Sequence, residues 1–182
     1  NVAVGYNSNL AQTTGQAITA IGYDSLRTGT AQNFMTAVGH SSGYSHTGTE
    51  GVLIGSDAGY SSGASHGAVH VGRQAGYNAT GSDNVSVGRF AMYSATSSNT
   101  GADNIAIGRG SLYALSSGLY NTFMGRDAGK AITTGHRNIG IGASSLDAVT
   151  TQSNLIAIGY EAGTAVTSAS NLTAIGHQSA NA

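Results

Sequence analysis

One glycine returns eleven times along the chain, always directly behind a Val, Ile or Met: Gly5, Gly22, Gly39, Gly55, Gly72, Gly88, Gly108, Gly125, Gly142, Gly159 and Gly176. The steps between copies are 17, 17, 16, 17, 16, 20, 17, 17, 17 and 17 residues. Self-similarity at a fixed period of this length is the signature of a repeat architecture, in which each unit buries its apolar face only against its neighbours. The positions around the glycine repeat as well. Three residues before it stands Val, Ile or Thr, and three after it stands Ala or Ser, from Ser8 and Ser25 to Ala162 and Ser179. Asn often opens the unit, as at Asn84, Asn104, Asn121 and Asn138, and a pair such as Thr14-Gly15 or Thr134-Gly135 marks a second corner.

A unit of about 17 residues is too short for two helices and long enough for two short strands and two corners. The period therefore predicts an all-β fold, a parallel β-solenoid or β-roll of about eleven coils. Alternation along a strand places the residues three before and one before the glycine on one face and the residue between them on the other. The first pair is apolar and is expected to fill the core. The small residue after the glycine is expected to point inward too. The anchor glycine is expected to turn the chain at a backbone angle other residues resist. The single 20-residue step predicts an insertion loop near 94–100. Asn1 opens directly on a repeat, so residues 1–182 read as one array cut from a longer chain.

Composition narrows the function classes. Only 8% of residues are charged, but the regularly placed β-branched residues argue against disorder. A net charge of -1 gives no general attraction to nucleic acid. With no Cys there is neither a disulfide framework nor a thiolate metal site. No apolar run approaches the roughly 20 residues of a membrane span. Catalytic patterns are missing as well: no G-x-S-x-G joins a strand to a helix, and the eight acids are scattered. Neither an enzyme nor a cofactor is expected. The threonines are too irregular for an ice-binding array.

The residue two before each glycine reads Ala3, Ala20, Ala37, Leu53, His70, Ser86, Ala106, Phe123, Gly140, Ala157 and Ala174. A water-facing row would carry Lys or Glu. A row of Ala permits close approach of backbones, so it is expected to meet neighbouring chains about a threefold axis, giving a homotrimer. His70 lies in that row and would then be an axial candidate for a metal or anion.

Two further rows stand out. Tyr lies five residues after the anchor in five consecutive coils, Tyr44, Tyr60, Tyr77, Tyr93 and Tyr113. Stacked, these form either a structural ladder over the core edge or an aromatic strip for glycans. Arg follows the anchor directly in four consecutive coils, Arg73, Arg89, Arg109 and Arg126. Stacked arginines repel unless paired, so they predict either pairing with Asp83, Asp103 and Asp127 or a basic stripe for anionic polysaccharide.

The units NVAVGYNS, DNIAIGRGSL and NLIAIGYEAG are similar to the head repeats of trimeric autotransporter adhesins. The fuller stretch NTFMGRDAGKAITTGHRNIGIGASSL resembles repeats of bacteriophage tail fibres. The likeness spans the whole chain, and adhesin heads run a shorter period than this one. The tail-fibre resemblance implies a trimeric, extracellular segment of a virion fibre that attaches to a host-cell polysaccharide or receptor. The alternative is the head of a bacterial surface adhesin that binds host matrix or cells.

Overall fold

The computed structural model describes residues 1–94 and 98–181. Eleven three-residue strands stack in chain order into one parallel sheet. They are β1 (Val2–Val4), β2 (Thr19–Ile21), β3 (Thr36–Val38), β4 (Val52–Ile54), β5 (Val69–Val71) and β6 (Val85–Val87). Then follow β7 (Ile105–Ile107), β8 (Thr122–Met124), β9 (Ile139–Ile141), β10 (Ile156–Ile158) and β11 (Thr173–Ile175). Equivalent residues pair throughout, Val2 with Thr19, Ile105 with Thr122, Ile158 with Ile175. At about 4.8 Å per strand the array is a rod roughly 48 Å long. It is a β-solenoid, as the period predicts. Of the insertion expected near 94–100, residues 95–97 lie outside the described residues. Coil-to-coil pairing runs up to Ser94, which donates to the Tyr113 carbonyl, and continues from Asn99.

Each coil holds one strand rather than the expected two. The rest is a chain of turns that still hydrogen-bonds coil to coil. Asp24 N–H donates to the Tyr6 carbonyl of the preceding coil, and Leu26 N–H to the Ser42 carbonyl of the next. This path needs left-handed backbone two and four residues after the anchor, as at Asp24 (φ 53°) and Leu26 (φ 48°). Asn, Asp and Gly reach that conformation at low cost.

The facing of the strand is the reverse of the sequence expectation. In β2 through β11 the middle residue is buried, and its two neighbours are half-buried or exposed. The alanine row therefore lines the inside of its own coil and cannot meet another chain. The coil is narrow, and its far wall leaves little room behind the strand, which is why the row is small. Where the row carries a large residue, the position six further on in the same coil is glycine: Leu53 with Gly59, His70 with Gly76, Phe123 with Gly129. A Cβ on Gly59 would come within 2.8 Å of Leu53, and one on Gly129 within 2.6 Å of Phe123. In four coils with a small row residue the same position is buried Leu or Met: Ala20 with Leu26, Ser86 with Met92, Ala106 with Leu112 and Gly140 with Leu146. Ala37 and Ala157 stand with Gly43 and Gly163 instead, where Leu26 and Leu53, and Leu146, reach in from the adjoining coils. The two rows share one volume, as close packing requires.

The predicted small residue after the anchor does point inward. The hydroxyls of Ser25, Ser42 and Ser111 donate to the Ala37, Leu53 and Phe123 carbonyls. The unit-opening asparagines form a buried ladder. Asn84 Oδ1 accepts from the Asn104 N–H at 2.9 Å, Asn104 Oδ1 from Asn121, and Asn121 Oδ1 from Asn138. The Asn121 amide also donates to the Gly135 carbonyl at 2.8 Å. Asn121→Leu keeps the volume and strands the Asn138 N–H and the Gly135 carbonyl. At about 1–3 kcal/mol for each of the two buried groups left unpaired, the loss should be roughly 2–6 kcal/mol. Chemical denaturation checks this, and a variant as stable as the parent would remove the ladder from the account.

Candidate functional site

Beyond the anchor glycine, the coil presents three side-chain rows on one flank of the rod: the first, second and fifth positions after the glycine. The tyrosine ladder predicted in the fifth row exists. Tyr44 and Tyr60 stack with centroids 4.9 Å apart, Tyr60 and Tyr77 at 5.0 Å, Tyr77 and Tyr93 at 5.3 Å with a 41° tilt, and Tyr93 and Tyr113 at 5.3 Å. Arg27 extends the row, its guanidinium 5.5 Å from the Tyr44 centroid. Partial burial, then the neighbouring Tyr44 and Asp57, push the Tyr60 hydroxyl above its ordinary range, and partial burial, then Tyr60, does the same at Tyr77. In the first row Tyr6, Tyr23 and His40 stack at 5.3–5.4 Å, as do Tyr160 and His177.

Arg73, Arg89, Arg109 and Arg126 occupy consecutive rungs of the first row, and all four are exposed. Of the three proposed acidic partners only Asp127 reaches them, 3.6 Å from Arg109 and 3.8 Å from Arg126, with Lys130 also at 3.8 Å. Asp83 and Asp103 belong to another corner, five residues before the anchor, where both serve left-handed backbone at φ 57°. Neither pairs with an arginine among the described residues. Arg73 and Arg89 rest instead on the Phe90 ring, 5.8 and 5.0 Å from its centroid. Phe90 in turn meets Tyr93 edge-on at 5.4 Å and Tyr113 at 6.5 Å.

These rows enclose a cleft of about 380 Å³ lined by Arg89, Phe90, Arg109, Gly110, Tyr113, Asp127 and Lys130. Its cause is a missing side chain. Gly110 is the single glycine in the second row, so its rung is open between Phe90 on one side and Asp127 on the other. Sequence reasoning found Arg89, Arg109 and Tyr113 and missed Phe90, Gly110 and Lys130. The signal available was departure from row habit: an aromatic and a glycine in a row otherwise filled by Asn, Asp, Ser, Gln and Glu. Phe90 holds φ 62°, a conformation a bulky residue adopts at a cost.

His70 is not axial. It is fully buried inside its coil, with Nδ1 2.8 Å from the Ser86 hydroxyl and Nε2 unpartnered. His46, two coils earlier and seven residues past its anchor glycine, does the same with Ser62 at 2.7 Å. Burial, then the neighbouring imidazole, lowers His70 to about 3. Burial, then His66, lowers His46 to about 4. Among the described residues no group of three or more His, Asp or Glu converges as metal ligands would.

A second exposed face is the outer side of the strands. Because the alanines point inward, Val, Ile, Thr and Met from all eleven strands form two flat rows along the rod. Ile139 and Ile141 are 36% and 38% exposed, and Ile156 and Ile158 are 36% and 37%.

Comparison with protein-family models, curated proteins and solved structures gave no match.

Proposed function

We propose that this chain is a segment of a homotrimeric, extracellular attachment fibre, a tail-fibre shaft that presents side-chain rows to a host-cell surface polysaccharide. The observation that carries this reading is the aliphatic strip. It runs the roughly 48 Å length of the rod as one contiguous, largely apolar exposed face, the kind of surface that marks a protein–protein contact. A flat, in-register strip can be covered along its whole length by identical strips, since equivalent rungs then meet in every chain. The number three, and the placement on a virion, come from the resemblance to tail-fibre repeats. The coil period of about 17 residues favours that family over the shorter-period adhesin heads. The contact face is the outer strand face, in place of the alanine row.

The mass in solution tests the assembly. Sedimentation equilibrium should give three times the 18.1 kDa chain. Ile107→Glu with Ile141→Glu, two coils apart and both pointing out of the coil, should leave the circular dichroism unchanged and reduce the mass to one chain. A parent that is monomeric at all concentrations would overturn the trimeric reading.

A further inference from the structure

We infer that the cleft at Gly110 is a binding site for a carboxylate-bearing sugar, one uronic or related acidic residue of a surface polysaccharide. The inference deepens the attachment reading above and names the ligand class of that flank.

Charge is the first argument. The chain has seven Lys and Arg, and five of them, Arg73, Arg89, Arg109, Arg126 and Lys130, lie on this stretch of four coils. Set against them at the cleft is one carboxylate, Asp127. A protein of net charge -1 has thus gathered its cations where a cavity opens. The resident ion pairs do not use that charge up. At 3.6–3.8 Å and with exposed cations, pairs of this kind contribute at most about 1 kcal/mol. Arg89 has no acidic partner among the described residues. A ligand carboxylate can take the Arg89 and Arg109 guanidinium donors bidentately, which lysine could not do.

Shape and aromatic content are the second argument, and they separate a sugar from a bare anion. Phosphate needs no aromatic wall, but Phe90 and Tyr113 both line the cleft. Their rings offer apolar surface to the C–H face of a pyranose, while Asp127 accepts hydrogen bonds from sugar hydroxyls. The volume of about 380 Å³ stands at the small end of ligand sites, about 300–1,000 Å³, which suits one or two sugar rings. The strained aromatic and the missing side chain occur on adjacent rungs of one row, each against the habit of that row.

The rows supply their own control. Gln74 fills the Gly110 position two coils earlier at φ 56°, so glutamine is compatible with this backbone. A Cβ on Gly110 would press only on the Asp127 carboxylate, which is free to swing. Gly110→Gln should therefore plug the cleft and leave the coil folded. The experiment is calorimetric titration of the purified protein with oligogalacturonate, with fully methyl-esterified oligogalacturonate and with inorganic phosphate. The expected result is binding of the acid form that weakens at least tenfold in Gly110→Gln and in Arg109→Gln, each with unchanged melting, and at least tenfold weaker binding of the ester and of phosphate. Equal binding of acid and ester, equal binding of phosphate, or acid binding untouched by Gly110→Gln would overturn the assignment. Absence of binding would overturn it too. None of those outcomes changes the sedimentation mass, so the trimeric fibre reading is judged separately.

Discussion

Gly125→Ala should disrupt the solenoid, and Gly176→Ala should cost it much less. All eleven anchors hold φ between +124° and +140°, a region that L side chains rarely adopt, at a cost of order 1–3 kcal/mol. At Gly125 a second penalty adds to the first. A Cβ there would lie 2.5 Å from the Gly142 carbonyl oxygen and 2.6 Å from its carbon, both backbone atoms of the next coil. That coil cannot retreat, because ladder bonds hold it on either side, Gly142 N–H to the Met124 carbonyl and Ser144 N–H to the Arg126 carbonyl. Combined strain and overlap in a packed stack place the loss above about 4 kcal/mol, in the range of single changes that unfold marginal proteins. Gly176 has a comparable φ of +124° with nothing within 4 Å. Its substitution costs the dihedral term alone, confined to one end. Thermal melts of the two variants decide the matter. Equal losses would mean that the glycines serve the turn and not the stacking distance.

Acid should weaken the rod through two residues. His46 and His70 are neutral in the fold, held at about 4 and about 3, while the unfolded chain titrates near 6.5. A folded value below the unfolded one leaves stability intact above pH 6.5. Below it the unfolded state binds protons that the fold refuses. Each imidazole then removes about 1.4 kcal/mol per pH unit, until its folded value is reached. At pH 4.5 the pair has lost two units each, on the order of 5 kcal/mol together. The geometry explains the direction, since a protonated ring would add an Nε2 donor with no acceptor beside it. Both rows accept leucine in other coils, Leu115 in the row of His46 and Leu53 in the row of His70. His46→Leu with His70→Leu should therefore fold, and should lose at least 10 °C less melting temperature between pH 7.5 and 4.5 than the parent. Equal acid shifts in parent and variant would show that other groups carry the effect.

Much of the flank was readable before any coordinates. A row position, counted from the anchor glycine, is a spatial row, because coils of equal length stack in register. The tyrosine ladder and the arginine run therefore followed from counting alone. The cleft did not follow, because it is a property of three rows at once. Gly110 is silent until Phe90, Asp127, Tyr113 and Lys130 are seen to surround its rung. Asp127 was correctly paired with the arginines, whereas Asp83 and Asp103 were not, since nothing in a count tells which corner of the coil a position occupies.

Periodicity by itself determined the solenoid, its coil number, the anchor turn and the in-register rows, because equal glycine-punctuated units stack one on the next and bring equivalent positions together. Inside and outside were decided only in three dimensions. Alternation in a three-residue strand states that Ala157 faces away from Ile156 and Ile158 but not which of them faces in. Hydrophobicity pointed to the isoleucines. The narrow coil chose the alanine, because Leu146 and its neighbours from the turn side had already filled the space behind the strand.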